Sequence, residues 1–525
     1  MKLINWAHVA GGARRRVAAG AAVAVIGAST AFGGGLGVAH AADAPAPTGI
    51  ILGVGASETQ RVVSWYAGTD AAQVVQLAET KDIVKGRFPA NATSFPATVT
   101  ANTVSGGFNG HATLDGLRKN TSYSYHVGSG ATWSPTYGFK THEFSGDYSF
   151  LFFGDPQIGS SGDVAKDGAG WADTLNVALT ANPSAELLVS GGDQVETANN
   201  EPQWNAFLGS DKLRQYPWAA TIGNHDVGGK AYEQHFWTPN TDRSAPFYRG
   251  DAKSESGGDY WYKYKDVLFI DLNSNAYANN ADAAHIAYVT KVIQDQGANA
   301  KYTVLVYHHS IYSPADHAND GDNQLRRQDF PTAFSNLGVD LVLQGHDHSY
   351  SRSYVIKNGK KANPAEQPGA TKVEQGPGGV IYVTANSASG SKYYDLTAPD
   401  TSKDPNYGPD PLNPKNHWAN SVENQEHVRT YVKVDVRDDK LTVEEIRSGT
   451  CAAPNAAVEL GRVPWCGPNS GASPAQPVGS VIDRVRYYPY NDRGVRAAAA
   501  DGVNWTESKT TKDNGQEKVT LTSVS

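Results

Sequence analysis

Cysteine is nearly absent: the 525-residue chain has two, Cys451 and Cys466. That excludes a disulfide scaffold and a cysteine-ligated zinc or iron–sulfur site. Positive charge is also short. Lys and Arg number 45 against 53 Asp and Glu, for a formal net charge of −8, so there is no basic footprint for nucleic acid. Beyond the first 41 residues no run is long and apolar enough to span a bilayer. What the chain does have is 11 Trp, 26 Tyr and 15 Phe, too many aromatics for a disordered polypeptide, and 15 His. Any metal must therefore be held by His, Asp, Glu or Asn. The length predicts two or three packed units.

Residues 1–41 read as a targeting segment. Lys2 and Arg14-Arg15-Arg16 supply a positive start, an Ala/Val/Gly-rich run follows, and Ala39-His40-Ala41 offers a small-residue cleavage site. A membrane anchor is the competing reading, but the run is poor in Leu, Ile and Phe and interrupted by glycine. The arginines suit twin-arginine export. The mature protein is expected to be secreted or periplasmic. Removing the segment deletes four positive charges and no negative ones, so the mature chain is the more acidic form. In an exported chain, Cys451 and Cys466 are expected to form a disulfide.

Residues 47–142 read as a small all-β sandwich: short β-rich runs such as Arg61 to Tyr66 are punctuated by Gly68, Gly86, Gly106-Gly107 and Asn109-Gly110. From Tyr148 the texture changes to strand–loop–helix alternation. Near-continuous apolar runs at 149–153, 186–190, 267–271, 302–307 and 339–343 suit strands buried on both faces, with helices at 171–181, 282–294 and 325–337 between them. This α/β unit is expected over 147–450, followed by a disulfide loop and linker at 451–480. A β tail at 481–525 carries no functional reading.

Five polar clusters stand directly after predicted strands: Gly154-Asp155-Pro156-Gln157, Gly192-Asp193-Gln194-Val195-Glu196, Gly223-Asn224-His225-Asp226, Tyr307-His308-His309 and Gly345-His346-Asp347-His348. Open α/β sheets place their sites at the carboxyl ends of strands. A preceding glycine allows a sharp turn and close backbone approach. Oxygen and imidazole donors without thiolate suit Fe, Mn or Zn. One Gly-Asp pair is a common turn, but five ordered clusters at strand ends indicate a metal site.

This ordered set resembles the calcineurin-like metallophosphoesterases. The β-region ahead of it, with a tyrosine-corner-like stretch from Leu117 to Tyr125 similar to fibronectin type III domains, makes the purple acid phosphatase-like branch the best match, over residues 47 to 450. The resemblance implies a four-layer α/β/β/α sandwich preceded by the small β-sandwich, and a dinuclear metal centre with Fe, Zn or Mn. It assigns Asp155, Asp193 and His348 to the first ion and Asn224, His308 and His346 to the second, with Asp193 bridging. His308 is preferred over His309 because Tyr312 then falls at the family's His-to-Tyr spacing. His225 becomes the general acid that protonates the leaving oxygen, with Asp226 orienting it. His317 matches a position that contacts substrate phosphate, and Arg352 follows the last histidine as in the family.

Two positions depart from that pattern. Glu196 replaces the tyrosine that ligates ferric iron in the purple enzymes, and Gln157 stands where the wider superfamily often has histidine. Gln157 can coordinate through its carbonyl, hydrogen-bond a metal-held water, or face solvent. The expected activity is phosphomonoester hydrolysis of a small phosphate ester by a metal-bound hydroxide. Phosphodiester or nucleotide hydrolysis is the alternative, and a non-catalytic surface-binding protein is the alternative of a different class. Oligomeric state is not legible in the sequence.

Overall fold

The run Ser149 to Phe153 has no polar face because both of its faces are covered. In the computed structural model, Phe150 and Phe152 point into a core shared with Phe269, Val304, Val306, Leu341 and Leu343. Leu151 and Phe153 point the other way, against Trp171, Leu175 and Phe207. The same period-2 split places Leu268, Ile270 and Leu305 against Val289, Phe330 and Phe334. Two sheets thus pack face to face, with helices Val164–Ala181 and Glu201–Phe207 outside one and Ala281–Gln296 and Gly321–Asn336 outside the other. This is the α/β/β/α sandwich expected, built from mixed sheets. The structure describes residues 45–245, 248–250, 254–449 and 476–490, with the backbone of strands Trp505–Thr511 and Glu517–Ser523. The targeting segment and both cysteines lie outside the described residues.

The second sheet runs Tyr260–Tyr264, Val267–Leu272, Tyr302–Tyr307, Leu341–Gln344, Ile381–Thr384, Tyr350–Ser353, Asn420–Asn424. The first has 11 strands and joins the two halves of the chain. Tyr148–Phe153, Leu187–Ser190 and Trp218–Ala219 lie parallel at its centre. Thr48–Val54, from the N-terminal β-region, pairs parallel with Trp218–Ala219 and antiparallel with Arg61–Ala67. A second small sheet, including Val74–Glu79 and Ser122–Ser129, completes the β-sandwich over a core of Leu52, Trp65, Val75, Tyr125 and Phe139. The Tyr123 hydroxyl accepts from Arg118 N at 2.8 Å, the bond of a tyrosine corner.

At the opposite edge, Val481–Tyr488 pairs with Leu441–Arg447 and with Lys372–Glu374. The tail strand is therefore part of the main sheet, with Val485 and Tyr487 in its core. Arg352, fully buried, donates to Asp483 of this strand from Nε at 2.6 Å and from a terminal nitrogen at 3.1 Å. Helix Val164–Ala181 starts earlier than its apolar pattern suggests. Asp163 caps it by accepting from Lys166 N, and Gly168 and Gly170 obscure the pattern. A Cβ at Gly170 would overlap the Ser389 carbonyl.

Candidate metal centre

All five clusters emerge at the carboxyl ends of parallel strands, and the two sheets bring those ends together. Glycine makes the approach close enough: a Cβ at Gly345 would overlap Asp155 Oδ1, and one at Gly223 would overlap the same atom type of Asp193. Four non-glycine residues here adopt left-handed backbone: Gln157 (φ 36°), Asp193 (44°), His346 (74°) and His348 (45°). Such conformations cost about 1–3 kcal/mol each and persist where the surroundings over-determine them.

Asp155 Oδ1 accepts from His346 N at 2.8 Å, while Oδ2 lies 3.2 Å from His348 Nε2 and is buried without a hydrogen bond. Asp193 Oδ1 accepts from His225 N at 2.9 Å, and its Oδ2 lies 3.2 Å from His308 Nε2. Asn224 Oδ1 is 2.9 Å and His346 Nδ1 is 3.1 Å from that same His308 nitrogen. The six residues assigned to metal in the sequence thus meet, with Asp193, His308 and His346 able to aim one ligand atom each within 4.8 Å of one another. His308 Nδ1 donates to the Gly191 carbonyl and His348 Nδ1 to the Lys392 carbonyl, both at 2.8 Å. Each bond ties the ring by Nδ1 and leaves Nε2 turned toward the other donors, where a bound ion would take the place of its proton, the usual outer arrangement of a metal-binding imidazole.

The charge of the pocket fits a cation. Burial opposes protonation of His308, yet the Asp193 and Asp155 carboxylates pull its imidazole up to about 10, so the donors hold an excess of negative charge. A buried Asp155 oxygen without a hydrogen bond, beside imidazoles tied by Nδ1 with Nε2 facing inward, is the donor set of an N/O metal centre.

His225 sits at the rim, its side chain 31% exposed. Its Nδ1 donates to the Glu196 carbonyl at 2.8 Å, and the Glu196 carboxylate is 3.6 Å away. Burial alone would lower its pKa. The Asp193 carboxylate, the Glu196 carbonyl and the Glu196 carboxylate outweigh burial and raise it. The expected partner, Asp226, does not touch the ring. Fully buried, it accepts from Gln194 N (3.0 Å), Gln194 Nε2 (2.7 Å), Gly223 N (2.9 Å) and, more weakly, Val195 N (3.4 Å), tying the Asp193 loop to the Asn224 loop. Asp226 is thus corrected from an orienting residue of His225 to a clamp between two loops. Four N–H donors in its environment make a buried carboxylate the residue that fits there.

His317 packs its ring on His346, centroids 3.8 Å apart, and shares Nδ1 with Asp320 at 2.7 Å. His309 points elsewhere, with Nδ1 2.8 Å from Ser274 Oγ. Gln157 is buried, so it does not face solvent; its Nε2 donates to Glu196 at 2.6 Å. The residues missed in the sequence lie in the loop after Ile381–Thr384 and, for Gln425, directly after Asn420–Asn424. Ser387 Oγ donates to the Asp155 carbonyl at 3.1 Å and Ser391 Oγ to the Pro156 carbonyl at 3.2 Å. Gln425 Nε2 donates to the His348 and Tyr394 carbonyls. The run Asn386 to Ser391, small, polar and at a strand end, carries the same signal as the five clusters but no histidine or carboxylate.

Residues 47–141 match the family model for the purple acid phosphatase N-terminal domain, and residues 148–350 match that for calcineurin-like phosphoesterases. Purple acid phosphatase 22 of Arabidopsis thaliana is 24% identical over 273 residues, 51% of this chain and 58% of that protein. The Fe(3+)-Zn(2+) purple acid phosphatase 12 of the same plant is 26% identical over 274 residues, 48% of this chain and 54% of that one. The chain spans about half the length of the curated relatives it matches. The structure of purple acid phosphatase PPD1 from yellow lupin superposes with TM-score 0.62 at 16% identity, covering 85% of this chain and 75% of that one. The chain belongs to the calcineurin-like phosphoesterases, in their purple acid phosphatase-like branch.

Proposed function

We propose that the protein is an exported, two-metal phosphoesterase that hydrolyses small phosphate monoesters. The observation that carries this reading is the convergence of six oxygen and imidazole donors, with Asp155 Oδ2 buried without a hydrogen bond and two histidines tied by Nδ1 so that Nε2 faces the other donors. Asp155 and His348 would hold one ion, Asn224, His308 and His346 the other, and Asp193 would serve both. When bound, such a pair of ions would supply Lewis-acid polarisation of a phosphoryl oxygen and an activated water.

The protein's own residues do the rest. His225, tied at Nδ1, holds a proton at Nε2 and delivers it to the departing alkoxide. Ions held by these donors would offset part of the Asp193 charge, and the Glu196 carbonyl and carboxylate, at 2.8 and 3.6 Å from Nδ1, would then keep that proton in place. His317, oriented by Asp320, offers Nε2 to a phosphoryl oxygen. The positively charged run at residues 2–16 supports export. Among the described residues no helix is long and apolar enough to cross a membrane.

The test is a substrate panel of mono- and diesters on protein loaded in turn with Mn, Zn and Fe. Monoester turnover exceeding diester turnover is expected. Preference for diesters in every metal form would favour the phosphodiesterase reading, and no turnover of either would remove the catalytic one.

A further inference from the structure

Gln157 and Glu196 are the two positions where this chain leaves the pattern of its relatives, and the structure joins them. They belong to different loops, 39 residues apart, yet the Gln157 amide nitrogen lies 2.6 Å from the Glu196 carboxylate. The loops are zipped around that contact. Gln157 N donates to the Asp193 carbonyl at 2.7 Å, Ile158 N to the Gln194 carbonyl at 3.1 Å, and Glu196 N to the Ile158 carbonyl at 3.0 Å. A carboxylate only accepts, so it dictates which end of the amide faces it. The other end, Gln157 Oε1, is then fixed as well, and it is buried with no hydrogen-bond partner. The Asp155 Oδ2 atom, two residues earlier, is likewise buried without a hydrogen bond, with His348 Nε2 at 3.2 Å. Leaving a buried amide carbonyl without a donor is unfavourable, and here a neighbouring carboxylate holds it in that state.

We infer that Gln157 and Glu196 form a ligand-positioning pair, in which Glu196 aims Gln157 Oε1 at the first metal position as a neutral oxygen donor. The inference rests on the two-metal reading and deepens it. The donors at that position are then one full carboxylate (Asp155), a share of Asp193, one neutral imidazole (His348) and one neutral carbonyl (Gln157). So little anionic charge suits a divalent ion better than a trivalent one. The pair makes the first position a divalent site, in contrast to the ferric position of the purple enzymes. Glu196 also holds His225 through its carbonyl, so one residue links the first ion's donors to the acid.

The test is Mn²⁺ titration of the metal-stripped full-length protein, following free Mn²⁺ by electron paramagnetic resonance. Wild type is expected to bind two ions per chain. Gln157→Leu and Glu196→Ala should each weaken one of the two by roughly 10–100-fold, the usual effect of losing a supporting contact at a metal site. Glu196→Gln, whose carbonyl still accepts from the Gln157 amide, should restore most of the affinity, and His225→Ala should bind both ions as wild type does. Circular dichroism and melting of the stripped variants check that each is folded; Glu196→Gln keeps the question answerable if Glu196→Ala is not. Two ions bound with wild-type affinity by Gln157→Leu would overturn the inference while leaving the two-metal reading intact. Weakened binding by Glu196→Ala alone would also overturn it, placing Glu196's effect elsewhere. Failure of the wild type to bind two ions would sink the two-metal reading itself. Iron loading supplies a second arm: a tyrosinate charge-transfer band would put a phenolate at the first position and overturn the divalent assignment. Tyr394, whose ring packs edge-on to His348 at 5.4 Å, would be the phenolate to replace.

Discussion

His225 is held by its neighbours through atoms with different chemistry. Its backbone N–H is spent on Asp193 and its ring Nδ1 on the Glu196 carbonyl, so only Nε2 is free to exchange a proton. His225→Ala should therefore slow turnover by roughly 10²–10⁴-fold while metal content, measured on the purified protein, stays at the wild-type level. Asp193→Asn should lose metal and turnover together, because the proposed bridging role needs a full carboxylate charge that the amide lacks. Asp226→Ala acts on the fold instead. It strands several buried N–H groups, each worth about 1–3 kcal/mol when unsatisfied, and its first sign should be a lowered Tm in the metal-free protein. The sequence makes the donors legible because each is a ligand-type residue in a short polar cluster at a strand end, most of them opened by a glycine. It singles out Glu196 and Asp226 but does not reveal what they do, because their roles depend on contacts across loops rather than on residue type.

Among the elements, the strand Val481–Tyr488 shows where sequence reading stops. Its alternation reads as a strand, but nothing local says which sheet it joins. The structure puts Asp483 beneath Arg352, and burying that guanidinium without a partner is expensive. Asp483→Ala should cost about 3–5 kcal/mol, measurable by denaturant unfolding. Directly opposite Asp483 on the neighbouring strand is Glu445, fully buried. Burial raises its carboxyl well above the ordinary range; the Thr430 hydroxyl opposes the shift and the Asp483 charge adds to it. The folded chain thus keeps this proton at pH values where the unfolded chain has released it, so the group's contribution to stability falls as pH rises above about 4.3. Glu445→Gln, neutral at every pH, should raise Tm relative to wild type at pH 7 and lose that advantage below pH 4, as thermal melts at the two values would show. The apolar strands were legible for the opposite reason: burial on both faces leaves an unbroken hydrophobic run. Trp218–Ala219 was not, since a strand of 2 residues leaves no pattern.

For the whole molecule, the N-terminal β-region is not a detachable binding module. It shares a sheet with the phosphoesterase half and is stitched to it by further contacts. The Tyr66 hydroxyl donates to Glu201 at 2.7 Å, its ring stacks on His235 at 4.3 Å, and Arg214 donates to the Ile50 carbonyl at 3.2 Å. Ala44–Ser525 accordingly forms one compact unit. Calorimetry of the metal-free protein should show one cooperative transition, where two independent domains would give two. Chelation should lower Tm, because ions that bind only the folded chain stabilise it by mass action.

The 11-stranded sheet also sets the order in which the chain can be completed. Thr48–Val54 is made early, yet its partner Trp218–Ala219 follows far later in synthesis, and Val481–Tyr488 reaches the opposite edge only after the phosphoesterase half has been made. The contact that brings His346 to Asp155 spans 191 residues. With so many distant pairings, folding is slow and partly built forms expose unpaired strand edges. The metal pocket, assembled from loops on both sheets, comes into being at the end of that process, so ion capture reports on a finished chain.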